Sequence, residues 1–244
     1  EILARRDSII NDLTRLVDPA GLITSTDECR AYETDALTAY RKMPLAVVLP
    51  KTTEEVSAVL KYCHDTGVKV VPRGAGTSLA GGAIPSEDAV VLGLSKMSRV
   101  LAVNDDVRSI RVEAGVTDLS VTAVVAENGF FYAPDPSSQL ACTIGGNIAN
   151  NSGGAHCLKY GVTTNNLLGV RMVLIDGSII DLGGDYLDSA GLDLLGLVVG
   201  SEGQLGIVTE ATLRILKSAE GARPVLFGFP SCEGAGKAVA DVIA

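Results

Sequence analysis

Val70-Val71-Pro72-Arg73-Gly74-Ala75-Gly76-Thr77-Ser78-Leu79-Ala80-Gly81-Gly82 starts as a β-branched run, passes a proline and an arginine, and becomes a loop with four glycines in nine residues. Few side chains stand between this backbone and its surroundings, so its N–H groups are free to face an anion. A glycine-rich surface turn has the same composition, and the loop alone does not choose between the two. Two nucleotide patterns fail at once. A Walker A loop ends in Gly-Lys-Ser/Thr, whereas Gly81-Gly82-Ala83 has no lysine. The dinucleotide fingerprint G-x-G-x-x-G needs glycine where Leu79 stands, and Pro85 discourages a long helix after the loop.

The flanks give the loop a setting. Upstream, Leu45-Ala46-Val47-Val48-Leu49-Pro50 predicts a buried strand, and Thr52-x-x-Glu55 a capping box. Val56, Val59, Leu60 and Cys63 follow on one helical face that ends at Gly67. His64 sits near that helix's C-terminus, where an imidazole suits the dipole. Val68 to Val71 is the next strand, so residues 45–71 form a βαβ unit with the glycine loop at its carboxyl edge, where α/β sheets bind ligands. Ala89 to Leu94 reads as a third strand, closing a small α/β subdomain near Ser98. Ahead of all this, Arg5 to Val17 has helical apolar spacing, Ser25-x-x-Glu28 is another capping box, and Tyr32 to Arg41 has no clear period.

Downstream the pattern turns antiparallel. Val100–Val103 and Ser109–Glu113 predict a hairpin across Asn104-Asp105-Asp106, and Thr117 to Asn128 a helix capped by Thr117 and closed by Gly129. Phe130 to Asn166 reads as a long ordered loop of functional character. Val170–Ile175 and Ser178–Leu182 flank Asp176-Gly177, the clearest hairpin signal in the chain. Leu192–Val199 is a helix candidate, and Gly206–Leu216 alternates as one long strand. The expected class is α+β, a small α/β subdomain followed by an antiparallel sheet with flanking helices. Val225 to Pro230 and Ala235 to Ile243 predict a strand and a helix that cannot bury both faces alone, the start of a further domain.

Composition narrows the function. The 244 residues are 47% hydrophobic and 20% charged, enough for a real core. Glycine, at 27 residues, exceeds the usual ~7% and clusters in loops. A net charge of −9 argues against a nucleic-acid partner, which needs clustered Lys and Arg. No apolar run approaches the ~20 residues of a membrane span. There is no signal peptide, and Glu1 in place of an initiator Met points to a trimmed chain or an ordered fragment. Five cysteines without C-x-x-C spacing fit reduced cytoplasmic thiols better than disulfides or zinc. The two histidines, His64 and His156, give little support to a metal site; His156, in a glycine-rich loop, is a solvated residue or a proton carrier.

Two further glycine-dense stretches accompany the loop. Pro134-Asp135-Pro136-Ser137-Ser138 leads to Thr143-Ile144-Gly145-Gly146-Asn147-Ile148-Ala149-Asn150-Asn151-Ser152-Gly153-Gly154, where bare amides, a hydroxyl and carboxamides could address a flat polar heterocycle. Gly200-Ser201-Glu202-Gly203-Gln204-Leu205-Gly206-Ile207 feeds three glycines into a strand whose first backbone groups could pair with a base edge.

In order and spacing, Arg73–Ser78, Pro134–Pro136, Thr143–Asn147, Lys159-Tyr160-Gly161 and Gly200–Ile207 resemble the successive FAD-contacting motifs of p-cresol methylhydroxylase type flavoproteins, the vanillyl-alcohol oxidase superfamily. The resemblance covers about residues 40–217 and is strongest to the branch of bacterial glycolate oxidase flavin subunits and D-lactate dehydrogenases. It implies that Arg73, Gly74, Ala75, Gly76, Thr77 and Ser78, with Gly81 and Gly82, wrap the FAD pyrophosphate. It implies that Pro134, Thr143, Gly146, Asn147 and Gly153 lie along the ribityl chain and isoalloxazine, with Asp135 and Gly145 counted beside them. Glu202, Gly206 and Ile207 then lie toward the other end of the cofactor. Some members tether FAD through a loop histidine; this loop has none, so non-covalent FAD is expected.

The same resemblance implies a division into a helical lead-in (1–43), two FAD-binding subdomains (44–98 and 99–217) and the start of a truncated substrate-cap domain (218–244). The expected activity is a 2-hydroxy-acid oxidoreductase acting on glycolate or a D-2-hydroxy acid such as D-lactate, with hydride passing from the substrate α-carbon to flavin N5. Catalytic residues are unassigned and expected beyond Ala244, so this stretch alone is expected to have little turnover. Iron–sulfur or other redox subunits are expected partners, and the location cytoplasmic or peripheral to the inner face of the membrane. Two alternatives stay open: a flavoprotein subunit competent only in an electron-transfer complex, and an FAD-dependent cell-wall-precursor reductase. The Pro-Asp-Pro and Gly-Ser-Glu-Gly motifs disfavour the second.

Overall fold

Apolar runs and alternating stretches resolve into two sheets that share a core. The computed structural model describes residues 2–185 and 191–244. The first sheet begins in the lead-in: α1 (Arg6–Leu13) buries Ile9 and Leu13, β1 (Leu22–Ile23) follows, and α2 (Thr26–Cys29) starts where the Ser25 hydroxyl accepts the Glu28 N–H. Then come β2 (Ala46–Val48), α3 (Thr53–Thr66), β3 (Lys69–Arg73) and β4 (Ala89–Gly93), in the spatial order β1-β2-β4-β3. The βαβ unit therefore straddles β4, which runs parallel to β2 and β3 and is buried at every residue. Its unbroken Ala-Val-Val-Leu run is what a strand covered on both faces requires.

Local chemistry sets the ends of α3. The Thr52 hydroxyl accepts the Glu55 N–H at 3.2 Å, while Glu55 reaches back to the N–H of Lys51, at 2.6 Å, one residue before the usual capping-box partner. Gly67 closes the helix at φ 72°, and the N–H of Val68 returns to the Cys63 carbonyl. Its buried face carries Val56, Val59, Leu60 and Cys63. Burial pushes the Cys63 thiol up to about 12, so it packs as a small hydrophobe.

The second sheet is built from β5 (Val100–Asn104), β6 (Ser109–Glu113), β8 (Leu167–Val173), β9 (Ile179–Gly183) and β10 (Ile207–Arg214), in the order β5-β6-β10-β8-β9, antiparallel throughout. Between β6 and β8 the chain forms α4 (Asp118–Val125), β7 (Phe130–Phe131), α5 (Ile144–Asn150) and α6 (Cys157–Tyr160). Later elements are α7 (Leu194–Val198), β11 (Leu216–Lys217), which pairs with β7, and α8 (Cys232–Ile243). Helix α3 ties the sheets together. Its Thr53 hydroxyl bonds that of Thr209 in β10 at 2.9 Å, and its Ser57 hydroxyl donates to Gly177 O in the β8–β9 turn.

The expected class and both hairpins stand, and four local expectations change. The single strand expected over Gly206–Leu216 ends at Arg214, and Leu216 pairs instead with Phe131 in a separate two-stranded sheet. The stretch 130–166 is not one loop but holds β7, α5 and α6. Thr117 precedes α4, but its hydroxyl pairs with that of Ser120 at 2.6 Å and does not cap the helix backbone. Residues 225–230 form no strand among the described residues, with Leu226 97% exposed, because no neighbouring strand offers them an edge.

Candidate functional site

The three glycine-dense segments, far apart in sequence, meet beyond the carboxyl end of β3 and at the start of β10. They line a groove to which the first loop gives Arg73–Ser78 and Gly82, the start of α5 gives Thr143, Gly145, Gly146 and Asn147, and the turn before β10 gives Glu202, Gly206 and Ile207. Its enclosed part is about 240 Å³. Sites that engulf a small molecule run to about 300–1,000 Å³, so this groove is a bed open along one side. Among the described lining residues the charges are one cation, Arg73, and one anion, Glu202. An anionic ligand must therefore be held mainly by the backbone.

The first loop is made for that. Arg73 turns its guanidinium away from the loop's open side: Nη1–H donates to Thr34 O at 2.7 Å, and the group lies 5.5 Å over the Tyr32 ring. Gly76 takes φ 71°, and a Cβ there would collide with this guanidinium. The arginine thus braces the loop from beneath, with desolvation drawing its pKa down from the usual value. Among the described residues, the N–H groups of Gly74 through Leu79 find no protein acceptor. A run of unpaired amides on a braced loop is an anion nest.

The second segment behaves differently. Expected to supply bare amides, it forms the start of α5, and its N–H groups are already used. Ile144 donates to Val116 O at 2.9 Å, Gly145 to Ala114 O at 2.8 Å, Gly146 to the Thr143 hydroxyl at 3.4 Å and Asn147 to Thr143 O at 2.8 Å. Its glycines serve close packing: a Cβ on Gly145 would come within 2.9 Å of the Ala114 Cβ, and one on Gly153 within 2.9 Å of Val162; across the groove, a Cβ on Gly74 of the first loop would come within 2.6 Å of Thr143 Oγ1. The third segment docks on the far end of α5, where Gly200 and Glu202 donate to Ile148 O and Ala149 O at 2.9 and 2.8 Å. A Cβ on Gly203 would press on the Pro72 ring at 2.8 Å, closing the ring of three segments. Glu202 itself holds a left-handed φ of 53°, rare for a side chain with a Cβ and a mark of a constrained site.

Four of the sequence-identified residues lie outside the groove lining. Gly81 turns at φ 79° against Leu37. Pro134 is buried, and Asp135 accepts the His156 N–H at 2.9 Å while its other oxygen is 3.4 Å from the His156 ring nitrogen. Gly153 packs on Cys157 and Val162. His156 is an edge-on neighbour of Phe131 and Tyr160, on a separate surface recess from the groove. Among the described residues no group of three potential ligands could hold a metal. Sequence reading missed Pro72, Leu94, Cys142 and Val198 in the lining. Pro72 and Leu94 carried a signal, the first inside the glycine-loop stretch and the second ending the strand predicted over Ala89–Leu94.

Beneath α5 lies Asp118, 2% exposed, accepting the Asn147 amide N–H at 2.8 Å. Desolvation first, and then the nearby Asp135 charge, push its carboxyl up to about 7 against the Asn147 hydrogen bond.

A model of the FAD binding domain matches residues 44–183, more than half of the chain. The chain belongs to the FAD-binding domain family. Glycolate oxidase subunit GlcD of Escherichia coli K12 is 48% identical over 239 residues, covering 98% of this chain and 48% of that protein. D-lactate dehydrogenase of Archaeoglobus fulgidus is 38% identical, covering 96% of this chain and 52% of its own length. The chain spans about half the length of these curated relatives. Among solved structures, an alkyldihydroxyacetonephosphate synthase superposes with a TM-score of 0.79 at 23% identity over 88% of this chain and 41% of its own, a likeness of fold. FAD is thus the cofactor of this domain, and the residues present suit it: an anion nest free of lysine, glycine positions where a Cβ would fill the bed, and a long open groove.

Proposed function

We propose that this chain is the FAD-binding part of a flavin-dependent 2-hydroxy-acid oxidoreductase of the glycolate or D-lactate class. The unpaired N–H groups of Gly74 to Leu79 carry the assignment, because they supply neutral donors to a doubly charged pyrophosphate without bulky cations. Arg73 holds that loop in shape, with Gly76 leaving room for its guanidinium and Gly82 lining the groove beside it. Thr143, Gly145, Gly146 and Asn147 line the flavin's path on one side, and Glu202, Gly206 and Ile207 on the other. Gly81, Pro134, Asp135 and Gly153 act by shaping these segments. The loop offers no histidine, and FAD is held non-covalently.

When bound, FAD supplies the hydride-accepting chemistry for oxidising the α-carbon of the hydroxy acid. The names of the relatives support that substrate class, and the E. coli relative, being called a subunit, supports redox partner subunits. Among the described residues no helix is long and apolar enough to cross a membrane. The five free thiols support a reducing compartment, the cytoplasm or the inner face of the membrane. Residues 1–43 serve as lead-in, 44–98 and 99–217 as the two halves of the flavin bed, and 218–244 lead toward a substrate-covering part. An absorption spectrum of the purified protein tests the core of this reading. Flavin bands released by acid precipitation are expected; a protein that stays colourless after incubation with FAD overturns it. Dye reduction with glycolate and D-lactate, with and without copurifying subunits, tests the substrate class.

A further inference from the structure

The flavin assignment leaves the buried acid behind the groove, Asp118, unused. Asp118 opens α4 directly behind the groove, and the two helix starts it joins are tied by main chain as well. Its N–H donates to Cys142 O at 3.0 Å, and Thr117 forms an isolated antiparallel bridge with Thr143. Asn147, 1% exposed, stands between the acid and the groove, touching both. On its other flank the same helical turn meets the first loop through Thr143, Gly146 and Gly74. Any change at Asp118 therefore reaches the flavin bed through one side chain and one helical turn.

We propose that Asp118 is a positioning residue for the flavin groove: its carboxylate fixes the Asn147 carboxamide and with it the first turn of α5, so that flavin affinity follows the charge at residue 118. This rests on the groove being an FAD site. A carboxylate accepts the Asn147 N–H as a charge-assisted bond, stronger than the bond accepted by a neutral acid. The groups around Asp118 are Asp135 from the segment before α5, Tyr132 after β7 and Cys142 just before Thr143; His156 reaches it only through Asp135. Tyr132 is buried, and burial drives its pKa upward, so it stays neutral. Asp118 forms no ion pair among the described residues. Its elevated pKa places the change of charge near neutrality.

The test is FAD titration of the purified protein by flavin-fluorescence quenching from about pH 5.5 to about pH 8.5, on wild type, Asp118→Asn, Asp118→Leu and His156→Gln. In the wild type the dissociation constant is expected to fall about fivefold as pH rises through neutrality, the difference between a neutral and a charge-assisted bond. Asp118→Asn keeps an acceptor but cannot titrate, and gives a flat profile. Asp118→Leu strands Asn147 and binds weakly at every pH. His156→Gln keeps the wild-type step, which separates Asp118 from the histidine joined to it through Asp135. A carbon-13 titration of the Asp118 carboxyl in the unmutated protein reads the same group without any variant. A flat wild-type profile, a step that survives Asp118→Asn, or a step lost in His156→Gln overturns the inference while leaving the flavin assignment intact. No FAD binding by the wild type at any pH overturns the assignment itself and the inference with it.

Discussion

Residues 74–82 and 145–154 face one another across the groove, and each carries four glycines. Their N–H groups have different fates. The first segment leaves a run of amides unpaired and spends arginine, Thr34 and Tyr32 on holding its shape. The second folds those of Ile144 to Asn147 into a helix start and the segment just after β6, and uses glycine for want of a side chain. One wall exploits glycine's torsional freedom, with Gly76 and Gly81 at φ 71° and 79°; the other exploits its size. Equal composition therefore stands for a ligand-binding surface in one place and for a packing joint in the other. The fate of the N–H groups tells them apart.

If the second wall is a packing joint, its glycines are stability residues first. A Cβ on Gly154 would land on the main-chain oxygen of Asp135, which cannot rotate away as a side chain would. Gly154→Ala is expected to cost about 3 kcal/mol in urea unfolding, the upper range for overpacking. A loss below about 0.5 kcal/mol, within the range of neutral surface changes, would show the wall to be compliant and the contrast false.

Asp118, behind the same wall, gives a pH-dependent version of this test. Its folded pKa, about 7, lies above the ordinary aspartate value of 3.8. Below the lower value both states are protonated and the group costs nothing. As pH rises through the lower value the unfolded chain ionises first, so the native state loses stability until the folded carboxyl ionises too. Asp118→Asn removes that penalty and is expected to gain on the order of 2 kcal/mol over wild type at pH 8, with no gain at pH 3.5. Paired denaturation curves at the two pH values check the sign.

The first wall should answer in affinity. Arg73→Ala removes both the bond to Thr34 and the stacking on Tyr32, costing about 1 to 2 kcal/mol of stability. With the brace gone, FAD affinity is expected to drop by about tenfold or more, since the amides must be ordered by the ligand itself. Lysine offers a point charge in place of a planar fork, so Arg73→Lys should recover little. Full recovery with lysine would mean that the residue acts through its charge on the phosphates and not as a brace.

Most of the scaffold was legible because single elements carried their own signal. The runs at Ala46–Val48 and Ala89–Gly93 read as buried strands, and the alternation along Ile207–Arg214 matches its observed burial. The interleaving of β4 between β2 and β3 was not legible, since strand order depends on long-range pairing. Helix α5 was missed because two glycines in its first turn speak against a helix. It forms because Thr143 caps it and Ile144 and Ile148, four residues apart, are both fully buried, a signal present in the sequence and outweighed there. The brace role of Arg73 depends on Thr34, 39 residues away, and no local pattern reports it.

Gly82 gives the smallest effect and the cleanest separation. It lines the groove, but a Cβ there would meet nothing within 4 Å, and its φ lies outside the left-handed range. Alanine at 82 therefore fits the native backbone, and by restricting the unfolded chain it should leave stability unchanged or raise it by about 0.4–1 kcal/mol. The added methyl group nonetheless stands on the face where the ligand backbone approaches. Gly82→Ala is expected to weaken FAD binding severalfold in a fluorescence titration while the urea midpoint stays level or rises. Gly154→Ala couples the two readouts in the opposite way, losing stability first and affinity only as a result. If alanine at 82 leaves both quantities untouched, the outer end of the first loop is no part of the cradle, and the anion nest ends near Leu79.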